Sequence, residues 1–236
     1  MKRFYKLVST AREGSEFTVK LDDKPIHTPA RNLLKIPNEA IADLIAQEWH
    51  VQSDPIIPDT MPLTQIIISA YDRITPQRDV LHNEIMPYLH TDLLCYRTDY
   101  PEDLGKQQAK TWDPHLKNIK KLFGHDVLTT TGLLALEQQP ELYDKIDEYI
   151  RQLDIWHFTA LYICTMQSGS LFLGLLFLEG KATPAKIIKA RFVEETYKGA
   201  IYDEKKYGPD PQHAKHRKNM TLDLKSLQKF LELLRN

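Results

Sequence analysis

Apolar and polar residues alternate over short stretches in the first third of the chain. This period-two alternation, rich in β-branched and aromatic residues, predicts half-buried β-strands. Turns are expected at residues 12–15 and 22–25, and Pro25 and Pro29 confine their segments to edges or turns because proline cannot donate to a sheet ladder. The predicted strands, a small antiparallel meander, are Phe4–Val8, Phe17–Leu21, Ile26–Thr28 and Leu33–Ile36.

Beyond residue 38 the apolar residues recur every three or four positions, which predicts amphipathic helices. Asn38 is expected to cap the first helix, and Gly124 is expected to end a later one. Thr75 and Thr183 each precede a proline, a pair that predicts a capped helix start. The predicted helical stretches are 38–49, 63–74, 75–93, 101–123, 140–153, 183–197 and 224–234.

These patterns together predict an α+β fold. A small N-terminal unit of short antiparallel strands and one or two helices is expected over residues 1–75, and a larger helical bundle is expected over residues 76–236. A length of 236 residues is enough for one large domain or two modest ones with real hydrophobic cores.

The segment Ile155–Leu178 contains no charged residue, and about 20 apolar residues can cross a bilayer. However, the polar cluster Gln167–Ser170 divides the segment into two pieces that are each too short to span. We therefore expect two buried helices with a break between them and no membrane insertion.

Composition restricts the partners and the compartment. The chain has 31 basic and 32 acidic residues, so neither nucleic acid nor anionic lipid is expected as the main partner. Cys95 and Cys164 lie far apart in apolar surroundings, which indicates buried free thiols in a reducing compartment. The N-terminus has no apolar stretch typical of a signal peptide and no transit-peptide composition. We expect a bacterial cytoplasmic protein.

Motifs for catalysis and for cofactors are weak. The nine glycines form neither a Walker A nor a dinucleotide-binding pattern, so no nucleotide cofactor is expected. Ser170 follows Gly169, but the second glycine of a nucleophile elbow is displaced, and two small residues that allow close helix packing are the favoured interpretation. His213 and His216 lack the ExxH companion of a metal-binding bundle. A solvated basic face is expected there, and no metal.

Glu194 and Glu195 are adjacent acids in a predicted helix and allow two interpretations. In one, either acid pairs with Arg191 or Lys198 on the same helix and contributes a few tenths of a kcal/mol. In the other, an acid at the rim of a helical groove contacts a cation or a backbone amide of a partner. The sequence alone favours the first interpretation.

A series of short motifs covers nearly the whole chain and resembles the ATP-twelve family, the assembly chaperones of the ATP synthase catalytic head. Taken singly none is specific, but their order and spacing match the family. The motifs are RFYK at 3–6, LDDKPIHTPA at 21–30, EWHVQ at 48–52, TMPLT at 60–64, TDLLCYR at 91–97, WDP at 112–114, GSLFLGLLFLEG at 169–180 and VEETY at 193–197.

The resemblance implies a chaperone rather than an enzyme. It implies that the protein binds the free α subunit of ATP synthase, without a cofactor, and prevents its aggregation until the β subunit takes its place. It also implies a partner-binding role for Glu195, or for Glu194. Trp49 is a further candidate, although a core anchor is the favoured interpretation of that residue. We expect the protein to act as a monomer.

The chain departs from the family pattern after Tyr197. Lys198 stands where the family has glutamine, several residues are inserted, and Tyr207 replaces a tryptophan, so no role is assigned to residues 198–212. The sequence also allows two alternatives to the α-subunit chaperone. One is a small-molecule hydrolase with a site between the two units that uses Glu194, Glu195 and a histidine. The other is a holdase without a preferred client.

Overall fold

The structure is a computed structural model that describes residues 2–201, 208 and 211–235. A three-stranded antiparallel sheet and mostly α-helices confirm the predicted α+β class. The chain divides into two compact units, one of Met1–Arg78 with Lys225–Asn236 and the other of Asp79–Leu224. The predicted ranges were 1–75 and 76–236, so the division by contacts differs mainly in placing the C-terminal segment with the first unit.

The sheet of the first unit has the strand order β1-β2-β3, with β1 at Val8–Glu13, β2 at Glu16–Leu21 and β3 at Lys24–Pro25. The prediction of a first strand at Phe4–Val8 is wrong. A two-residue turn, in which Gly14 has a φ of 67°, fixes the pairing of Glu13 with Glu16 and of Val8 with Leu21. With this register, β1 begins at Val8, so the first strand lies entirely after Leu7.

The later predicted strands Ile26–Thr28 and Leu33–Ile36 are reduced to isolated bridges, His27 with Leu33 and Phe17 with Ile36. The chain turns more tightly than the sequence predicts, because Asp22 and Asp23 both adopt positive φ values of 49° and 67°. The third strand therefore begins immediately at Lys24, inside the predicted turn.

Helix α1 spans Glu39–His50, and the Asn38 side chain accepts a hydrogen bond from the Ile41 backbone N–H at 2.9 Å, as the predicted cap requires. Helix α2 spans Pro62–Ser69. The C-terminal segment is attached to α1, since the Asn38 amide donates to the Leu233 carbonyl at 2.9 Å. The apolar residues of that segment, Leu227, Phe230 and Leu231, are buried.

The predicted helix start at Thr75 is wrong. A π turn at Ala70–Ile74 and a 3-10 turn at Thr75–Gln77 continue from α2. Thr75 has helical backbone angles, and its hydroxyl donates to the Ala70 carbonyl at 2.8 Å instead of capping a new helix. Pro76 has no N–H to donate, and the irregular turns provide a helical path that tolerates it.

The remaining described elements are helices. Three predicted helix boundaries are confirmed: Gly124 (φ 81°) ends the helix Glu102–Phe123, Gly169 (φ 69°) separates the helices Ile155–Ser168 and Leu171–Leu178, and Thr183 caps the helix Pro184–Arg191. The predicted helix 75–93 is interrupted near Pro87, and the predicted helix 183–197 is interrupted at Phe192. The helices are α3 Arg78–Ile85, α4 Tyr88–Thr91, α5 Glu102–Phe123, α6 Pro140–Arg151, α7 Ile155–Ser168, α8 Leu171–Leu178, α9 Pro184–Arg191, α10 Val193–Ile201 and α11 Pro211–Leu234.

The prediction that both cysteines are buried free thiols is confirmed. Cys95 and Cys164 are free and buried, and burial raises the pKa of the Cys164 thiol to about 12, so it stays protonated. The inserted segment after Lys198 is described only to Ile201, where α10 ends. Tyr207 and the rest of the family departure at 202–207 and 209–210 lie outside the described residues.

Candidate functional site

Glu194 and Glu195 both lie in the first turn of α10, where the exposed backbone N–H groups of a helix favour negative charge. Their side chains nevertheless contact different groups. Glu194 accepts a hydrogen bond from the Gln108 side chain of α5 at 3.0 Å. Glu195 forms an ion pair with Arg191 at 3.1 Å. The two adjacent acids therefore have separate structural roles.

The buried side chain of Gln108 fixes the orientation of Glu194. Its amide oxygen accepts from the Thr98 backbone N–H at 2.8 Å, which leaves the amide NH₂ to face Glu194. Gln108 is itself almost completely buried, and a buried amide left without these partners would be costly. Glu194 is therefore held in one place by α5.

Glu195 lies next to a cluster of cations and an aromatic ring. Arg191, its ion-pair partner, lies 5.3 Å from the centroid of the Phe192 ring, and Arg217 lies 5.6 Å from the same centroid. His216 contacts that ring edge to face at 5.6 Å. The side chain of Glu195 is 30% exposed, so it can still reach a group outside the protein.

Trp49 belongs to the first unit and packs in its core. It is only 8% exposed, and its ring meets the Tyr5 ring at 5.8 Å in an edge-to-face contact. The Tyr5 hydroxyl donates to the Trp49 carbonyl at 2.6 Å, and the Arg3 guanidinium lies over the Tyr5 ring. The N-terminal motif RFYK is thus packed against the motif EWHVQ at the end of α1.

The other members of EWHVQ join α1 to the following segment. Glu48 accepts from the backbone N–H groups of Leu63 and Thr64, each at 2.8 Å, and from the Thr64 hydroxyl at 2.7 Å. It therefore caps α2 from outside that helix. Burial raises the pKa of Glu48, and the three donors offset part of that rise. Gln52 binds the Thr60 hydroxyl at 3.0 Å and the Ile57 N–H at 2.9 Å.

A buried carboxylate that the sequence analysis did not single out joins two family motifs in the second unit. Asp92 of TDLLCYR accepts from the Ser170 hydroxyl at 2.7 Å, from the Leu94 N–H at 3.0 Å and from the Phe172 N–H at 3.1 Å. Ser170 in turn caps α8 by accepting from the Leu173 N–H at 3.0 Å. The only sequence signal was a polar residue directly before an apolar run in each motif.

Ser170 is consequently a buried helix cap and not a small packing residue as predicted. The close helix contact lies one turn later, at Gly174, where an added Cβ would come within 2.7 Å of the Thr165 hydroxyl and 2.9 Å of Leu161. The pair α7 and α8 can approach because position 174 carries no side chain.

Burial makes Asp92 sensitive to pH. Desolvation raises its pKa from the ordinary 3.8 to about 6, despite the hydrogen bonds that favour the charged form. The folded protein thus holds this proton more tightly than the unfolded chain. The stability linked to protonation of Asp92 is fully present below about pH 4 and is lost as the pH rises through 6, whereas the hydrogen bonds that the carboxylate accepts persist above that pH.

We expect Asp92→Asn to remove this dependence. At about 1.4 kcal/mol per pKa unit, the wild-type free energy of unfolding should fall by about 2 kcal/mol more than that of the variant between pH 4 and pH 7. Urea denaturation of both proteins across this range measures the difference. Parallel curves for the two proteins would contradict a raised Asp92 pKa.

Among the residues that the structure describes, no group of three or more His, Cys, Asp and Glu side chains is arranged to hold a metal ion. None of the helices seen in the structure is long and apolar enough to cross a bilayer. His213 and His216 lie in the exposed first part of α11, where a basic face was predicted.

The fold and these contacts define an α+β protein of two units in which motif residues cap helices and connect segments. A family model described as ATP12 chaperone protein matches residues 2–120. The chain therefore belongs to the ATP12 family, the ATP synthase assembly chaperones that its motifs resemble. The matched range includes Trp49 and Asp92, whereas Glu194 and Glu195 lie beyond it.

Particular relatives agree with this family over most of the chain. "Protein atp12, mitochondrial" of Schizosaccharomyces pombe is 24% identical over 208 residues, which cover 83% of this chain and 72% of the yeast protein. The crystal structure of Atp12 from Paracoccus denitrificans is similar with a TM-score of 0.85 and 29% identity, over 98% of this chain and 97% of that one. The Atu1473 protein of Agrobacterium tumefaciens has a TM-score of 0.87 and 29% identity, over 99% and 86%.

Proposed function

We propose that this protein binds the unassembled α subunit of ATP synthase, prevents its aggregation and releases it for assembly with the β subunit. The observation that carries the proposal is membership of the ATP12 chaperone family together with a full-length structural match to Paracoccus denitrificans Atp12. In this proposal the protein acts by binding alone and makes or breaks no covalent bond.

The physical need for such a protein is clear. A subunit that will be enclosed in a ring exposes apolar faces before assembly, and faces of this kind self-associate. A protein that covers one face must offer a complementary surface with a polar rim, and its affinity must be moderate enough for the β subunit to displace it.

Within this function we propose Glu195 as a partner contact and Glu194 as its support. The ion pair of Glu195 with Arg191 is partly exposed, and such pairs are worth only about 0–1 kcal/mol. Exchanging Arg191 for a cation or an amide of the client therefore costs little. Glu194 is held by the buried Gln108, so it is suited to fixing the first turn of α10. Trp49, packed on Tyr5, is proposed to act by holding the N-terminal segment.

The hydrogen-bond partners of Glu194 and Glu195 give no support to the hydrolase alternative. Among the described residues, Glu194 accepts from Gln108, Glu195 accepts from Arg191, and neither acid forms a hydrogen bond or ion pair with a histidine. We further propose a monomer in a bacterial cytoplasm, in keeping with the bacterial source of the Paracoccus and Agrobacterium structures.

Co-expression tests the proposed function. The α subunit should remain soluble and copurify with this protein, and added β subunit should displace it. If the α subunit aggregates equally with and without the protein, the proposal fails. If the complex forms but β does not displace it, or if unrelated aggregating proteins are protected equally, the protein is a holdase without a preferred client.

We expect Glu195→Lys to reduce the recovered soluble α subunit at least tenfold, because the lysine would repel the cation that the carboxylate binds and would also repel Arg191. The thermal midpoint should change by less than about 2 °C, as a partly exposed ion pair contributes little to stability. Glu148→Lys, at an exposed glutamate of α6, is the matched control and should retain full recovery. A large fall in the midpoint of Glu195→Lys would show that Glu195 is structural.

A further inference from the structure

The connection between α5 and α6 exposes two leucines at its tip. Leu133 is fully exposed and Leu134 is 86% exposed, in the sequence Thr129–Pro140, which contains neither lysine nor arginine. Single exposed apolar residues are ordinary, but two adjacent leucines at the tip of one loop form a small apolar protrusion. No other part of the proposed function accounts for this protrusion.

Hydrogen bonds hold both ends of this loop. On the incoming side, the Thr130 N–H donates to the Cys95 carbonyl and the Arg97 N–H donates to the Thr130 carbonyl, each at 2.8 Å. On the outgoing side, the Leu136 N–H donates to the Tyr96 hydroxyl at 3.0 Å. The loop is therefore attached twice to the family motif TDLLCYR, and the leucines are presented to solvent by an ordered support.

A cavity of about 460 Å³ lies beside the tip. Its lining includes Ala135 of the loop, Pro140 at the start of α6, and Tyr143. The Tyr143 ring stacks on the His90 ring with centroids 6.0 Å apart and an interplanar angle of 14°. The cavity thus has an aromatic wall and room for a side chain of a partner.

The surroundings of the cavity are acidic. Glu137 and Asp144 line it, and Glu141 is exposed in the first turn of α6. The sequence from 126 to 144 has four acidic residues and no lysine or arginine. In the part of the chain that the structure describes, Glu137, Glu141 and Asp144 form no ion pair.

We propose that Leu133, Leu134 and the adjacent cavity form a docking surface for the client protein, referred to as the leucine-tip surface. The client would offer an apolar patch bordered by lysine or arginine, so that the leucines are buried and Glu137 and Asp144 meet positive charge. This inference rests on the proposed chaperone function and adds the surface and the chemistry of its partner.

Charge distinguishes this occupant from two others. A second copy docking symmetrically would bring Glu137 and Asp144 opposite their own equivalents, and like charges in an interface are unfavourable. An anionic lipid surface would repel the same carboxylates. An apolar protein patch with a basic border can bury Leu133 and Leu134 and also place positive charge opposite Glu137 and Asp144.

The test uses the full-length protein and purified α subunit as the probe. The double variant Leu133→Ser with Leu134→Ser should bind the α subunit at least tenfold more weakly, with an unchanged thermal midpoint because both leucines are exposed. The matched control is Val80→Ser, at an exposed apolar residue of α3 (65% exposed), which should bind normally. The triple variant Glu137→Gln, Glu141→Gln and Asp144→Asn should bind more weakly and with a smaller dependence on salt.

The outcomes separate the two proposals. If wild-type protein does not bind the α subunit, the proposed function fails and this surface fails with it. If wild-type binds and the double leucine variant binds equally well, the leucine-tip surface is refuted while the chaperone function stands. Two further outcomes for the double leucine variant would also overturn the inference, each with binding to the α subunit intact. Loss of self-association in sedimentation experiments would assign the surface to a second copy of the chain. Loss of binding to anionic vesicles would assign it to lipid.

Discussion

Asp92→Ala is expected to lower the free energy of unfolding of the second unit by about 3–5 kcal/mol. The change removes the acceptor of the Ser170 hydroxyl and of the Leu94 and Phe172 backbone N–H groups. These donors are buried, so water cannot replace the carboxylate, and each unsatisfied donor costs about 1–3 kcal/mol. The start of α8, which is buried along its whole length, should be affected first.

Urea denaturation followed by circular dichroism measures this loss, and hydrogen exchange at Phe172 and Leu173 locates it. Asp99→Ala is the matched control, because Asp99 is exposed a few residues further along the same segment and should change stability by less than about 0.5 kcal/mol. A loss below about 1 kcal/mol for Asp92→Ala, equal to that of the control, would show that the buried carboxylate does not support α8.

Glu48→Ala is expected to cost the first unit about 2–4 kcal/mol. Its carboxylate accepts from the first N–H groups of α2 at Leu63 and Thr64 and from the Thr64 hydroxyl. A helix starting at proline has no cap of its own here, since the preceding Met61 offers no side-chain acceptor. Removal of Glu48 therefore leaves partly buried donors without partners and weakens the contact of α1 with α2.

Chemical denaturation again provides the measurement, with tryptophan fluorescence as a second probe because Trp49 follows Glu48 directly. Asp43→Ala is the control, since Asp43 is an exposed acid of the same helix. Glu48→Gln keeps the shape and one acceptor oxygen, so it should recover part of the loss. Equal stabilities for Glu48→Ala and Asp43→Ala would contradict a capping role.

These two acids explain why the family motifs contain polar residues that are not exposed for binding. EWHVQ supplies Glu48 and Gln52, which bind residues of TMPLT, and TDLLCYR supplies Asp92, which binds GSLFLG. The motifs that carried the resemblance are therefore mainly connections within the fold. The proposed partner contacts, Glu195 and the leucine-tip surface, lie on residues that the core does not need.

Local signals in the sequence were sufficient for several features. Asn38, Gly124 and Thr183 were predicted as helix boundaries and have these roles, and the break at Gly169 was predicted from the polar cluster around it. Each signal acts within one turn of helix, between a side chain or a left-handed glycine and a neighbouring backbone group. Their energies do not depend on the rest of the chain.

The failed predictions depend on groups further away. Thr75 and Pro76 have the sequence of a helix start, but the helix from α2 continues through them, because burial of Ala70 and Ile74 favours one uninterrupted apolar face. Phe4–Val8 has strand-like residues, but the two-residue turn at Gly14 sets the register and leaves Phe4 unpaired in the sheet.

The sequence by itself determined the α+β class, most helix ends, the buried thiols and the family, because periodicity, caps and motif order are short-range or linear properties of the chain. Only the tertiary structure decided which polar groups meet: Asp92 with Ser170 across 78 residues, Gln108 with Glu194 across 86, and the leucine tip with its acidic cavity. Tertiary packing and the need of every buried donor for a hydrogen-bond acceptor determine such pairs. A local sequence pattern therefore does not predict which residue is the partner.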